Sequence, residues 1–257
     1  HVLIKHFYLA LPLILLSIVQ ITGDWLAQVI LSKGTNDWGA VAEFGVARQY
    51  AFILPMASAA ITQGVLPILS KRSENSNNDI ISFVKISFTI QIILAALGLF
   101  FAPYFIPLIF GDDLEGAVIF AKTLIISYTI FGVFWMIGPA LLAKGRTVLL
   151  LIFQTFRTLA ILVSVFVLIN IYGKIGIVYG YLLAEIISAL IITIYFYQKI
   201  FVIIKKLNFI LIIQLPLIVV SGLLFFLNSS LIRVLFPIVF VITCFSFLKL
   251  ISASKKT

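Results

Sequence analysis

Charged residues are scarce in this chain of 257 residues: Asp, Glu, Lys and Arg make up 11% of it, whereas 63% is hydrophobic. The mean hydropathy is +1.23. A soluble domain cannot bury that much apolar surface, and several runs of about 20 apolar residues are long enough to span a membrane. The runs are continuously apolar and do not alternate, which predicts helices and not barrel strands. We therefore expect an all-α integral membrane protein.

Arrangements of residues that carry enzyme chemistry are also missing. The sequence has one cysteine, Cys244, which lies in an apolar run and cannot form an internal disulfide. It has no phosphate-binding glycine loop, no HExxH and no His/Cys pairs at metal-ligand spacing. The connections between the apolar runs are short, about a dozen residues at most. We therefore expect neither an enzyme nor a resident metal or cofactor.

The excess of basic residues has a membrane explanation. The net charge is +9, which in a soluble protein would suggest a nucleic-acid partner. Here the basic residues lie in short loops, where they set the topology and meet anionic membrane lipids. One side, which begins with Lys5 at the N-terminus, holds nearly all of them, and the opposite loops hold Lys33 and Lys174. The basic side is predicted to be cytoplasmic, with both termini inside.

Turn signals divide the apolar sequence into eight predicted transmembrane spans. Clusters of Gly, Asn, Asp, Ser and Lys mark the connections between them. Pro55 and Pro67 are expected to interrupt the second span, and Pro103 and Pro107 to break the outer end of the third. The spans are 7–32, 41–69, 81–110, 117–142, 148–170, 176–198, 208–227 and 231–251.

Four ionisable residues lie well inside these spans: Asp24, Arg48, Arg157 and Glu185. A charge there costs a few kcal/mol or more, so each is a candidate functional residue. Asp24 and Arg48 each lie about 12 residues from the middle of their connecting turn, which predicts similar depths in the outer half of the bilayer. Arg157 and Glu185 repeat the pattern, with their midpoint beside the turn at 172–176, and are predicted near the midplane. Two interpretations stay open: structural ion pairs that lock hairpins together, and a transport site.

Polar side chains extend the pattern along the helices. Gln20, Asp24 and Gln28 are spaced i, i+4, i+8 and form one polar line, which Ser17 extends by a turn. Other clusters surround the remaining charges: Gln49 beside Arg48, Gln154 and Thr158 with Arg157, and Tyr181 and Ser188 with Glu185. Such stripes normally face a water-filled cavity or the bundle interior. Lys122, near the outer end of the fourth span, is expected instead to snorkel to the surface.

Four segments follow one another in an order that resembles a known family. WGAVAEFGVARQYAFILPMASAAITQGVLPILSK (38–71) has a Gly-rich start, small residues, an aromatic and a Pro before a basic loop, and FAPYFIPLIFGDDLEGAVIFAKTLI (101–125) contains a Phe-Gly-acid turn. GPALLAKGRTVLLLIFQT (138–155) and YGKIGIVYGYLLAEIISALI (172–191) contain an LAKGR turn and a G-x-x-Y-G-Y-x-x-A-E helix start. Over residues 1–198 the chain resembles the C-terminal half of polysaccharide (O-antigen/capsule-type, Wzx-like) flippases of the multidrug/oligosaccharidyl-lipid/polysaccharide (MOP) exporter superfamily.

The resemblance implies an architecture. Residues 1–198 would form the second six-helix bundle of a MOP-type transporter, which faces a first bundle across a central cavity. Residues 199–257 would add two transmembrane helices and a basic cytoplasmic tail. The chain begins HVLIKHF, without an initiator Met, and its predicted N-terminus is inside. We therefore expect a fragment that lacks the N-terminal half of a multi-pass protein of the bacterial inner (plasma) membrane.

The resemblance also implies a function: flipping undecaprenyl-pyrophosphate-linked oligosaccharide units to the outer leaflet by ion-coupled alternating access. Arg48 first, and Arg157 second, are expected to contact the diphosphate or an acidic sugar, because a guanidinium fork matches phosphate oxygens and stays charged. Sugar hydroxyls would be bound by Gln20, Gln28, Gln49 and Gln154. The candidates for coupling to H⁺ or Na⁺ are Asp24 and Glu185.

Two other functions stay open. A drug/cation antiporter of the same superfamily would favour a cavity with acids and aromatics and few arginines, whereas arginines accompany the acids here. A non-transport membrane scaffold would have polar stripes that face partner helices and exclude water. Access of water to Gln20 and Gln28 separates the scaffold from both transporters.

Overall fold

A computed structural model describes residues 2–70, 76–111, 114–135, 138, 141–142 and 145–195. The helices of this part of the chain are α1 (Val2–Thr35), α2 (Trp38–Ala51), α3 (Ile53–Ser70), α4 (Ser76–Phe110), α5 (Glu115–Trp135), α6 (Thr147–Tyr172) and α7 (Gly176–Tyr195). A short 3-10 helix, Gly173–Ile175, joins α6 to α7. Strands are absent from the described residues, and the predicted all-α class is confirmed.

Three described stretches are long and apolar enough to cross a membrane. They are Ala10–Thr35 in α1, Ile90–Phe110 in α4, and Thr147–Ile192, which covers α6 and α7. The predicted count of eight spans is not confirmed. The last two predicted spans, the division between residues 198 and 199, and the basic tail lie outside the described residues.

The second predicted span consists of two helices, α2 and α3, with Phe52 between them. The N–H of Phe52 still donates to the carbonyl of Arg48 at 2.9 Å, and the N–H of Met56 donates to the carbonyl of Phe52 at 3.1 Å, so the interruption is one residue wide. Pro55 explains the break, because its ring clashes with the carbonyl of Ala51, four residues earlier, and it has no N–H to donate. The predicted interruption at Pro55 is confirmed.

Three other prolines do not end their helices. α3 continues through Pro67, and α4 continues through Pro103 and Pro107 to Phe110, so the predicted breaks at these positions are wrong. Each of these prolines removes one helical bond, to the carbonyl four residues earlier, and the helix continues past that loss. α4 ends instead at Gly111, whose φ of 91° suits glycine and whose N–H donates to the carbonyl of Pro107 at 2.9 Å.

α5 is the central helix of the described bundle. It packs against α2, α4 and α7, whereas α6 packs against α7 and α1. All side chains from Phe120 to Ile130 are buried. Lys122 is among them, with 7% of its surface exposed, so the prediction that it snorkels is wrong. A helix with neighbours on several sides keeps even a long basic side chain inside the bundle.

Two glycines allow close contacts with α6. A Cβ added at Gly180 of α7 would lie 2.7 Å from backbone atoms of α6, and a Cβ added at Gly23 of α1 would overlap the side chain of Thr158. Larger residues at these positions would push the helices apart. Gly180 and Gly23 precede Tyr181 and Asp24 along the chain, so they hold those two polar residues close to α6.

Candidate functional site

An ion pair joins α1 to α2. Arg48 Nη2 donates to Asp24 Oδ2, as the hairpin symmetry of the sequence predicted. Tyr181 of α7 donates from its hydroxyl to the other carboxylate oxygen, Asp24 Oδ1, at 3.1 Å. The side chains of Arg48 and Asp24 are 26% and 20% exposed. This pair therefore has one face open and one face anchored to a third helix.

A second ion pair joins α6 to α7. Arg157 Nε donates to Glu185 Oε1 at 2.9 Å and to Oε2 at 3.1 Å, and Arg157 Nη2 donates to Oε1 as well. The guanidinium carbon lies 4.0 Å from the centroid of the Phe131 ring, within range of a cation–π interaction. The two side chains are 9% and 2% exposed. This pair is almost fully buried, unlike the pair of Asp24 and Arg48.

The two pairs form one electrostatic unit. Asp24 interacts with both Arg157 and Glu185, and Tyr128 of α5 interacts with Arg48, Asp24 and Arg157. We call the set of Asp24, Arg48, Arg157, Glu185, Tyr128 and Tyr181 the charge network. Its two arginines and two carboxylates have formal charges that cancel. The sequence predicted two separate pairs at different depths, whereas the structure brings them together.

The predicted glutamines divide by exposure. Gln49 is exposed, and Gln20 and Gln28 are half-buried on α1. Gln28 donates to the backbone carbonyl of Asp24 at 3.4 Å. Gln154 is fully buried in α6. The polar line along α1 and Gln49 near the end of α2 are thus accessible. Gln154 lies with Arg157 in the bundle interior.

A small pocket lies between α5, α6 and α7, beside the pair of Arg157 and Glu185. Its walls are mainly aromatic and aliphatic and include Phe131, Phe153 and Ser188. The hydroxyl of Ser188 and both amide atoms of Gln154 are buried without hydrogen-bond partners among the described residues. Of these two residues only Ser188 lines the pocket, and because an unpaired buried polar group costs about 1–3 kcal/mol, its hydroxyl favours a polar partner there.

Several polar contacts of the bundle were not predicted from the sequence. Tyr128 lies between Ser127 and Thr129 in α5, and no charge or hairpin symmetry in the sequence marked it as a site residue. Lys174 donates from Nζ to both carboxylate oxygens of Glu43 at 3.0 Å, although 131 residues separate them. Gln91 of α4 donates to Ser58 of α3. Lys174 and Glu43 lie on elements that are not consecutive, so only the packing of the bundle brings them together. Ser58 and Gln91 are about equidistant from the loop between α3 and α4, but both are uncharged and were not singled out in the sequence.

The fold and the site together define a class of protein. The described residues form an apolar helical bundle whose interior holds a charge network, open on one side to a polar line on a membrane-length helix. The same fold is found in a solved structure of a MOP superfamily transporter from Pyrococcus furiosus, with a TM-score of 0.65 over 95% of this chain and 63% of that chain. The sequence identity is 13%, so this likeness shows the fold alone. The chain has the fold of a MOP superfamily transporter.

Sequence similarity to a lipopolysaccharide biosynthesis protein supports the more specific resemblance to Wzx-like flippases. The chain is 26% identical over 179 residues to the lipopolysaccharide biosynthesis protein WzxC of Escherichia coli (strain K12), over 68% of this chain and 36% of WzxC. No protein-family model matches the sequence. The resemblance to Wzx-like flippases of the MOP superfamily is confirmed, and the chain spans about a third of the length of that relative.

Proposed function

We propose that this chain forms part of a membrane transporter that moves lipid-linked oligosaccharide units across the bacterial inner membrane for surface polysaccharide export. The observation that carries the proposal is the accessible pair of Arg48 and Asp24 in a bundle with the MOP fold. The similarity to WzxC supports it. The substrate would be an undecaprenyl-pyrophosphate-linked unit, flipped from the cytoplasmic to the outer leaflet, with both termini of the chain in the cytoplasm.

The binding chemistry follows from what must cross the bilayer. A diphosphate and many hydroxyls are costly to desolvate, so a site must replace the bonds they make to water. Arg48 is 26% exposed, which supports it as the first contact for the diphosphate or an acidic sugar. Gln20, Gln28 and Gln49 would bind sugar hydroxyls. Arg157 and Gln154 are buried, so they would contact the substrate only in a state in which the bundle is open.

Ion coupling is proposed at Asp24. An H⁺ or Na⁺ that neutralises this carboxylate would weaken its attraction to Arg48 and so change the balance between inward-facing and outward-facing states. Glu185 is the second candidate, but its side chain is 2% exposed and both its oxygens accept bonds from Arg157. Asp24 is thus the carboxylate that an ion from solution reaches first.

Deletion of the gene in its host tests the proposed function. We expect surface polysaccharide to be lost and lipid-linked oligosaccharide to accumulate with its head group in the cytoplasmic leaflet, inaccessible to an added glycosidase in spheroplasts. Expression of the intact gene should restore both. A strain that keeps its polysaccharide but becomes sensitive to cationic drugs would show a drug/cation antiporter instead.

Cysteine labelling separates a transporter from a scaffold. In a background without native Cys244, Gln20→Cys and Gln28→Cys should react with a water-soluble maleimide, because their polar line would face a wet cavity. Gln154→Cys, on the buried face of α6, is the matched control and should react far more slowly in the folded protein. Equal protection at all three positions would contradict transport through a cavity at α1.

A further inference from the structure

We propose that Asp24 is an internal competitor for Arg48, which the anionic group of the substrate displaces, and that Tyr181 holds the displaced carboxylate. The inference rests on the proposed function and adds a residue role and an order of events to it. The ligand class is an oxyanion of the phosphate or diphosphate type. Its source is either a lipid head group or a free anion in solution.

The first support is that the two carboxylate oxygens of Asp24 accept hydrogen bonds from different residues. Oδ2 accepts from Arg48 on α2, and Oδ1 accepts from the Tyr181 hydroxyl on α7 at 3.1 Å. A carboxylate and a phosphate offer the guanidinium the same kind of charged acceptor. An arriving oxyanion can therefore take over the bond to Arg48 while the bond to Tyr181 remains.

The second support is the surroundings of Asp24 after displacement. Besides Arg48 and Tyr181, the titratable and charged groups that interact with it are Tyr128 on α5, Arg157 on α6 and Glu185 on α7. The attraction of Arg157 is largely offset by the repulsion of its partner Glu185, so the hydroxyl of Tyr181 and the partial exposure of Asp24, at 20%, are what keep the displaced carboxylate from becoming an unpartnered buried charge. This arrangement lowers the free-energy cost of giving up Arg48.

The third support is the contrast with the other pair. Glu185 accepts bonds from Nε and Nη2 of Arg157, and the guanidinium lies over Phe131. That pair is 9% and 2% exposed, against 26% and 20% for Arg48 and Asp24. A pair that exchanges one partner needs access from outside and a second donor for the residue that is displaced. Asp24 is partly exposed and also accepts a hydrogen bond from Tyr181.

An internal competitor acts on release as well as on binding. When Asp24 returns to Arg48, it expels the oxyanion, which a carrier must do once per cycle. Removing the negative charge should therefore tighten binding and slow turnover. A residue that merely orients Arg48 would, when changed, weaken binding instead.

The test uses the product of the complete gene in lipid nanodiscs. Inorganic pyrophosphate is titrated in one arm and a polyprenyl diphosphate, incorporated in the nanodisc, in the other. We expect Asp24→Asn to bind inorganic pyrophosphate at least about tenfold more tightly than the unmodified protein, equivalent to about 1.4 kcal/mol. Transport assays should show a lower KM together with a lower kcat.

The variant Tyr181→Phe tests the role of Tyr181 independently of Asp24→Asn. It should weaken binding by about threefold to tenfold, because the hydrogen bond from Tyr181 is stronger to a carboxylate that Arg48 has released than to one that Arg48 still neutralises. The double variant Asp24→Asn with Tyr181→Phe should bind like Asp24→Asn alone, since Tyr181 acts only through Asp24. A purely structural role of Tyr181 would leave its effect in the double variant. Should Asp24→Asn not fold, unchanged or tighter binding by Tyr181→Phe overturns the inference by itself.

The outcomes separate this inference from the proposed function. If Arg48→Ala abolishes binding but Asp24→Asn binds no more tightly, the competitor role is overturned and the oxyanion site stands. If neither probe binds in a way that depends on Arg48, both are overturned. If the variants show the expected ranking of affinities for the polyprenyl diphosphate but not for inorganic pyrophosphate, the inference is supported and the ligand is a lipid head group.

Discussion

Replacing Arg48 by alanine is expected to abolish polysaccharide export while the protein still reaches the membrane. The change removes the accessible cation of the charge network, so a diphosphate would enter the bilayer without a charged partner. The loss of one charge-assisted contact costs about 1.5–3 kcal/mol, and a desolvated site makes it larger. The measurement is surface polysaccharide per cell, normalised to the amount of protein in the membrane.

Two matched variants control this result. Arg48→Lys keeps the charge but loses the planar fork, so we expect partial export. Arg146→Ala removes an arginine that is exposed just before α6 and should leave export unchanged. Normal polysaccharide in the Arg48→Ala strain would remove this residue from the site.

Replacing Glu185 by alanine is expected to destabilise the fold strongly. Arg157 would keep its charge in a position where its side chain is 9% exposed, and a buried charge left without its partner costs about 3–5 kcal/mol. The same argument predicts a smaller effect for Asp24→Ala, whose partner is more exposed and can be hydrated. Thermal unfolding in detergent, followed by fluorescence-detected size exclusion, measures both.

A double variant decides between the two interpretations of this pair. Replacing Arg157 by Met and Glu185 by Leu removes both charges and keeps apolar volume, which often restores stability. If stability and export both return, the pair is a structural tie between α6 and α7. If stability returns and export does not, the pair takes part in transport. A double variant as unstable as Glu185→Ala would contradict the explanation by an unpaired charge.

Hairpin symmetry made the ion pairs predictable from the sequence. Asp24 and Arg48, and likewise Arg157 and Glu185, are equidistant from a turn, and a transmembrane hairpin has a fixed rise per residue. The helix break before Pro55 was predictable for a local steric reason. The chain boundaries of α6 and α7 also agree with the predicted spans to within a few residues.

The union of the two pairs into one network was not predictable in this way. It depends on α1 packing against α6 and α5 packing against α7, and no turn geometry relates those helices. Tyr128 illustrates the difficulty, because a tyrosine in a predicted span has the same sequence pattern whether its hydroxyl meets a charge or fills a gap. The burial of Lys122 likewise follows from the central position of α5, which the sequence does not encode locally.

The interruption at Phe52 has a mechanical consequence. Pro55 has no N–H, so the carbonyl of Ala51 lacks a helical partner and the backbone ladder is one bond weaker here, although the N–H of Met56 still donates to the carbonyl of Phe52 at 3.1 Å. Arg48 lies one turn before the interruption, whereas Ser58, beyond it, is tied to Gln91 of α4. The position of the guanidinium beside α1 therefore depends on the packing of α2 against α5 more than on an unbroken backbone ladder into α3.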